Sequence, residues 1–171
     1  ASAHGDVVRD LLGLDGGLIV SVGNDGVIKL WNSFEFECVD VVPCAHPAFI
    51  YGVCGGRDPF TFATFGEEGI VKIWHLEDED KRRITLVSEI RVPIMSVWSA
   101  AFVDDDLLII VGSTGTIFLF STSEQKWCDS ASFDAELSAF EACARASKAS
   151  EIEKSAQDPS VLRCPGERIG K

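Results

Sequence analysis

Short apolar runs with polar residues at alternate positions, separated by glycine-containing turns, occupy most of the chain up to about residue 128. Alternation over about 4–8 residues is the pattern of half-buried β-strands. Near the N-terminus it predicts strands at Val8–Leu14, Leu18–Val22, Val27–Trp31 and Phe36–Val42. The turn Asn24–Gly26 is a strong hairpin signal, because glycine and asparagine tolerate the positive φ that tight turns require. The pattern therefore predicts an all-β fold with antiparallel pairing.

One template occurs three times: an apolar strand, a Gly-x-x-Gly turn, and a second strand that ends in an aromatic residue. The copies are Leu18–Trp31, Phe60–Trp74 and Leu107–Phe120. The second glycines of the turns, Gly26, Gly69 and Gly115, are separated by 43 and 46 residues. A repeat of about 40–45 residues made of short strands is typical of a β-propeller blade. We predict three blades of about four antiparallel strands, with outer strands at Ile84–Val87 and Lys126–Cys128 in the second and third.

Four dipeptides at fixed places in the template carry a family resemblance. Trp31-Asn32 and Trp74-His75 stand where WD repeats have Trp-Asp, and Ala3-His4 and Ala45-His46 stand where they have Gly-His. The chain thus resembles the WD-repeat family, and the implied blades span residues 1–42, 43–89 and 90–128, the last of them degenerate. Propellers close rings of about 4–8 blades, so three blades predict a fragment of a longer protein.

The pattern changes to a helical one from Asp129 onward. One narrow apolar stripe recurs at spacings of 4, 3 and 4 residues, at Phe133, Leu137, Phe140 and Ala144. Such spacing places the side chains on one face of a helix. Residues 129–171 are therefore predicted to be a helical linker that leads toward a closing strand and further domains outside this chain.

Charge and cysteine content exclude several classes of function. The net charge of −12 argues against a general nucleic-acid or anionic-membrane surface, since phosphate binding needs clustered Lys and Arg. No apolar run approaches the roughly 18 residues that span a bilayer. The six cysteines have no C-x-x-C spacing, so neither a metal site nor a cofactor is expected. Reduced thiols predict a cytoplasmic and nuclear location.

The first blade contains His4, Ser21, Asp25 and Trp31, and Ser, His and Asp in one module suggest a hydrolase. The resemblance to WD repeats implies a different role for them. In a buried relay, Asp25 accepts from His4, His4 meets Ser21, and Ser21 meets the indole of Trp31. A nucleophilic serine would need an oxyanion hole and an exposed cleft, and no G-x-S-x-G motif is present. We interpret the four residues as a structural relay that satisfies buried polar groups.

The relay is less complete in the later blades. The second blade has equivalents of three relay residues, namely His46, Thr64 and Trp74. Glu68 stands where the pattern has aspartate. The third blade has Ile110, Thr114 and Phe120 at the polar positions and no loop histidine. We expect the third blade to be held by packing alone.

Two positions per blade border the mouth of the central channel in WD-repeat propellers. Alignment on the loop histidine places Arg9, Tyr51 and Trp98 at the first position, and Asn24, Glu67 and Ser113 at the second. Arg, Tyr and Trp dominate interface energetics because they bury large areas and donate directional hydrogen bonds. The alternative is that Tyr51 and Trp98 are core residues. The alignment predicts a partner-binding rim.

The resemblance sharpens in three short segments, His4–Arg9, Phe49–Tyr51 and Pro93–Trp98. Ile110–Ser113 follows, then a Trp-containing turn, an acidic helix and Pro165–Gly170. This order resembles the C-terminal blades of the N-terminal propeller in the phospholipase A-2-activating protein family, known in yeast as the ubiquitin-fusion-degradation factor. The missing blade-three histidine and Ile169 depart from the family pattern.

That resemblance implies a non-enzymatic adaptor in ubiquitin-dependent protein degradation. Its propeller face is expected to bind ubiquitin, and regions outside this chain are expected to recruit the valosin-containing AAA ATPase. The alternative is a generic WD-repeat scaffold whose rim binds another protein, for example in ribosome assembly or in a ligase receptor. A hydrolase is the third interpretation.

Overall fold

The computed structural model describes residues 3–77 and 82–128. These residues form twelve strands in three four-stranded antiparallel sheets. The strands are β1 (Val8–Leu14), β2 (Leu18–Gly23), β3 (Ile28–Asn32), β4 (Glu37–Val42), β5 (Ile50–Gly55), β6 (Thr61–Gly66), β7 (Ile70–Glu77), β8 (Arg83–Arg91), β9 (Val97–Phe102), β10 (Leu107–Gly112), β11 (Ile117–Ser121) and β12 (Lys126–Trp127). The helix predicted over residues 129–171 lies outside the described residues.

Each sheet pairs four consecutive strands in sequence order, and β5 lies beside both β1 and β9. The prediction of three four-stranded antiparallel blades is therefore confirmed. Some observed strand boundaries differ from the predicted ones, and local contacts explain the differences. Val27 lies before β3, where its N–H donates to the Asp25 carboxylate, and Phe36 lies in a turn with a φ of 56°. β8 is longer than predicted, because its ladder to β7 continues beyond a register shift at Ile73/Trp74.

Blade two supplies one face to each of two apolar layers. Phe62 on β6 packs with Val20 and Leu30 of blade one. Phe65, three residues later, packs with Leu108 of blade three. Side chains alternate between the faces of a strand, so both neighbours are needed to bury β6. Full burial of each such side chain is worth about 1.5–3 kcal/mol.

Two carboxylates of blade one accept hydrogen bonds from the backbone of blade two, one near the inner strands and one near the outer strands. Asp10 Oδ2 accepts from the Val53 N–H at 3.0 Å near the inner strands. Asp40 Oδ2 accepts from the Ile84 N–H at 2.7 Å near the outer strands. These bonds fix the orientation of the two sheets, which apolar packing alone leaves adjustable.

Two of the three repeat glycines are required by contact with the following blade. Gly26 and Gly69 have φ of 67° and 65°, and a Cβ on Gly69 would lie 2.1 Å from the Ile94 carbonyl oxygen. Their carbonyls accept from the His46 and Val92 N–H groups at 3.2 and 2.9 Å. Gly115 is not left-handed, and within the described residues no atom lies within 4 Å of its would-be Cβ. The third turn thus differs from the other two.

We expect Gly69→Ala to lower the free energy of unfolding by about 1–3 kcal/mol, because the new Cβ meets backbone at a left-handed position. Gly115→Ala is the matched control and should change the unfolding free energy by less than about 0.5 kcal/mol. Urea unfolding followed by tryptophan fluorescence measures both. Equal losses in the two variants would contradict the proposed inter-blade role of Gly69.

Candidate partner-binding rim and its hydrogen-bond relay

The structure brings the four relay residues of blade one together. His4, in the loop before β1, has Nδ1 3.0 Å from both Asp25 carboxylate oxygens and Nε2 2.7 Å from Ser21 Oγ. Trp31 Nε1 donates to the same hydroxyl at 2.8 Å. The loop, two strands and the β2–β3 turn are thereby joined at one end of the sheet.

Elementary donor counting fixes the direction of this relay. An indole N–H can only donate, so Ser21 Oγ accepts from Trp31 and its own proton is directed to His4 Nε2. Nε2 is then the unprotonated nitrogen, and Nδ1–H donates to Asp25. In this arrangement each of these relay atoms has a hydrogen-bond partner. The arrangement supports a structural role, since Ser21 is buried and its hydroxyl is engaged on both sides.

Asp25 anchors the loop to the turn. Besides His4, it accepts from the Gly5 N–H at 2.8 Å and the Val27 N–H at 3.2 Å. Burial raises the pKa of Asp25, but the hydrogen bonds from His4, Gly5 and Val27 outweigh it and hold the pKa below its usual value of 3.8. The stabilisation is therefore present above about pH 3.8 and is lost as the pH falls below it.

Blade two has the same relay with one alteration. His46 Nε2 lies 2.8 Å from Thr64 Oγ1, and Trp74 Nε1 donates to that hydroxyl at 2.8 Å. His46 Nδ1 bonds Oε1 of Glu68, whose other oxygen, Oε2, is buried and has no hydrogen-bond partner among the described residues. The extra methylene of Glu68 thus leaves one oxygen unsatisfied where Asp25 reaches backbone N–H groups.

Burial lowers the pKa of His46 below its usual 6.5, and the attraction of Glu68, which raises it, is the smaller effect. The direction agrees with the donor count, because Thr64 directs its proton to Nε2 only if that nitrogen is unprotonated. His46 is therefore neutral at pH 7.

We expect Asp25→Ala to lower the free energy of unfolding by about 1–3 kcal/mol, because it removes the carboxylate that binds His4 Nδ1 and the Gly5 and Val27 N–H groups. Asp6→Ala, one residue beyond Gly5 on an exposed loop position, is the control and should change little. Thermal and urea unfolding measure both variants. Equal stability of Asp25→Ala and the parent would contradict the relay.

The lowered His46 pKa predicts acid sensitivity above the range in which carboxyl groups titrate. The unfolded chain takes up a proton near pH 6.5 and the folded chain does so only at lower pH. Stability is therefore complete above about pH 6.5 and falls below it, by up to about 1.4 kcal/mol per pH unit. Urea unfolding between about pH 7.5 and 5.5 measures the slope.

His46→Gln should be less stable at neutral pH and should show a shallower slope than the parent. His75→Gln, which changes a partly exposed histidine outside the relay, is the matched control. A parent whose stability is flat across this range would contradict the assignment of a neutral, buried His46.

The expectation that packing alone holds blade three is wrong. Ile110 and Phe120 are buried in the apolar layer, but a polar cluster forms at the opposite end of the sheet from the relays. Asp106 accepts from the Ser123 N–H at 2.6 Å and from the Ser121 hydroxyl at 2.9 Å. The bond from the Ser123 backbone, followed by the hydroxyl bonds, holds the pKa of Asp106 below its usual range. Ser121 at the end of β11 and Ser123 in the turn that follows are the sequence signal that was missed.

The predicted rim residues lie at the relay end of the blades. Arg9 Nε donates to Asn24 Oδ1 at 2.6 Å, and the guanidinium carbon lies 5.9 Å from the centre of the Tyr51 ring. This pair joins the rims of blades one and two through a cation–π contact. Glu67 is exposed in the β6–β7 turn. The structure thus brings Arg9, Asn24 and Tyr51 into one cluster.

Trp98 forms a second cluster on blade three. Its side chain is 62% exposed, and Nε1 donates to Ser96 Oγ at 3.1 Å. Ser113 Oγ accepts from the Ser96 N–H at 3.3 Å. Tyr51 is half-buried, so neither aromatic residue belongs to the apolar layers.

Sequence reasoning missed a set of exposed apolar residues at the same end. Val7, Phe49 and Met95 stand one or two residues before β1, β5 and β9, and Met95 is 85% exposed. We call these three residues the apolar collar. Their recurring place before each innermost strand is the signal that could have found them. Phe and Met accompany Arg, Tyr and Trp among the residue types enriched in protein interfaces.

Three further findings on the described residues concern metal binding, membrane spans and thiol chemistry. Within those residues no cluster of three His, Cys, Asp or Glu side chains is arranged to hold a metal ion. Their helices include none with the length and apolar character to cross a membrane. Burial raises the pKa of the Cys54 thiol to about 12, so it is protonated at neutral pH.

Comparisons with known proteins identify the class. The family model for the WD domain, G-beta repeat, matches residues 2–32. The crystal structure of RRP9 WD40 repeats has a TM-score of 0.65 and 16% sequence identity over 75% of this chain and 39% of that one. The structure of U3-55K has the same TM-score and identity and is covered to 40%. Residues 2–32 therefore match a WD repeat, and the described residues have the propeller fold of these structures.

Two curated proteins are similar in sequence. Ubiquitin homeostasis protein lub1 of Schizosaccharomyces pombe is 30% identical over 125 residues, which cover 71% of this chain and 16% of that protein. DDB1- and CUL4-associated factor 13 of Danio rerio is 34% identical over 59 residues, which cover 34% of this chain and 13% of that protein. The chain thus spans less than a fifth of the length of either relative.

Proposed function

We propose that this WD40-repeat domain is a ubiquitin-binding adaptor module in ubiquitin-dependent protein degradation, of the phospholipase A-2-activating protein family. The observation that carries the proposal is the rim, where Arg9, Tyr51 and Trp98 are displayed at one end of three adjacent blades beside the apolar collar. The similarity of this chain to ubiquitin homeostasis protein lub1 supports this choice of partner.

The rim has the composition of a protein-binding surface. It combines a rigid guanidinium held by Asn24, an exposed indole held by Ser96, and the collar residues around them. Fixing side chains before binding reduces the entropy lost in the complex. A single patch of this kind binds weakly, so a second ubiquitin contact elsewhere in the whole protein would strengthen it through effective concentration.

The whole protein is proposed to act with the valosin-containing AAA ATPase through regions outside this chain, and to work in the cytoplasm and nucleus. The alternative function is a WD-repeat scaffold whose rim binds a different protein. Similarity to the second relative, DDB1- and CUL4-associated factor 13, supports that alternative, because the name describes a protein that associates with other proteins. A direct ubiquitin titration separates the two functions.

We expect ubiquitin to bind this chain with modest affinity, and Trp98→Ala to weaken binding by about 2 kcal/mol or more, because interface tryptophans at the centre of a patch carry much of the energy. Arg9→Ala and Tyr51→Ala should weaken it as well, since each breaks the Arg9–Tyr51 contact on the rims of blades one and two. Calorimetry or NMR titration with ubiquitin measures the effect. Arg83→Ala, an exposed arginine on the outer strand β8, is the matched control and should bind like the parent.

Ubiquitin binding that survives all three rim substitutions in a folded protein would reject the rim assignment. A parent chain that does not bind ubiquitin at all would favour the scaffold alternative.

A further inference from the structure

The turn between β3 and β4 displays two phenylalanine rings to solvent. Phe34 is 76% exposed and Phe36 is 89% exposed. The turn lies at the opposite end of blade one from the rim, next to the Asp15–Gly17 loop, whose Gly17 carbonyl accepts from the Ser33 N–H at 2.8 Å. Neither ring belongs to the apolar layers of the fold. Two solvent-exposed aromatic rings on one short turn indicate a contact surface.

The backbone conformation at Phe36 is one that disfavours a phenylalanine in the folded state. Its φ of 56° lies in the left-handed region, which costs a residue with a Cβ roughly 1–2 kcal/mol. The turn itself requires that conformation, because Gln125 has φ of 52° at the same distance after the aromatic end of β11. Glycine meets the requirement without strain. The side chain of Phe36 therefore stabilises the fold neither through the backbone conformation nor through burial in the core.

The turn is held rigidly. Asn32 Oδ1 accepts from the Phe34 N–H at 2.9 Å and from the Glu35 N–H at 3.2 Å. The Phe34 ring lies directly over Gly17, where a Cβ would come within 2.1 Å of it. A partner that receives the rings thus pays little entropy for ordering the turn.

Charge indicates what kind of partner fits. Exposed Glu35 and Glu37 alternate with the rings along the turn, and exposed Asp15 lies in the adjoining loop. Carboxylates around an apolar contact favour lysine or arginine on the other side and oppose an anionic membrane. We propose that the turn Ser33–Glu37 is a second protein-binding site, which inserts Phe34 and Phe36 into an apolar groove bordered by lysine or arginine on a partner.

This site goes beyond the proposed ubiquitin contact, and its place at the other end of blade one leaves both surfaces open together. The test selects peptides from a displayed random library against the full chain and measures the affinity of the selected peptides. We expect them to combine aromatic or aliphatic residues with Lys or Arg, and to bind more weakly as salt is raised. Phe36→Gly should lower their affinity at least tenfold.

Phe36→Gly should fold at least as stably as the parent, since glycine relieves the left-handed strain, so unfolding cannot account for lost binding. Gln125→Gly makes the same backbone change in blade three and should leave peptide affinity unchanged. Ubiquitin binding at the rim should be the same in the parent and in Phe36→Gly, which separates this site from the proposed function.

Three results would overturn the proposal. One is a selection that enriches no peptide, and another is a set of peptides that bind the parent and Phe36→Gly equally. The third is binding of the parent to phosphatidylcholine or phosphatidylserine vesicles that Phe36→Gly abolishes, because the rings would then serve a membrane.

Discussion

Burial of both faces of blade two is the constraint on which the described fold depends. Phe62 and Thr64 on β6 face blade one, while Ala63 and Phe65 face blade three. A slip of one residue in the pairing of β6 would exchange the two sets and place Thr64 against the apolar layer of blade three. The register is thus fixed from both sides, and the relay hydroxyl stands where it can meet His46 and Trp74.

The relays extend that constraint to the loops. In blade one the hydrogen bonds of His4 and Asp25 hold the loop before β1 against the β2–β3 turn. That turn carries Asn24, which in turn holds Arg9 at the rim. A buried polar network is costly when half satisfied, so its complete set of partners makes one loop geometry strongly preferred. The rim is therefore positioned by interactions that never touch a partner.

Blade one has different surfaces at its two ends. The rim end offers a guanidinium, aromatic rings and the apolar collar, whereas the opposite end offers two phenylalanines between carboxylates. Strands that run straight through the sheet separate these ends by the length of β2 and β3. In the proposed adaptor function the two surfaces would not compete, because they lie at opposite ends of one blade.

The sequence by itself determined the strands, their antiparallel order and the blade repeat, because alternation and turn glycines act between neighbouring residues. It also determined which residue types stand at the relay positions. Only the tertiary structure decided that Gly69 is confined whereas Gly115 is open, and that Asp106 gathers hydroxyls. Phe36 was expected to begin a strand, yet it occupies a strained, exposed turn position. These features depend on contacts between distant residues, as when Asp40 bonds Ile84, 44 positions later. Local sequence patterns do not indicate such contacts.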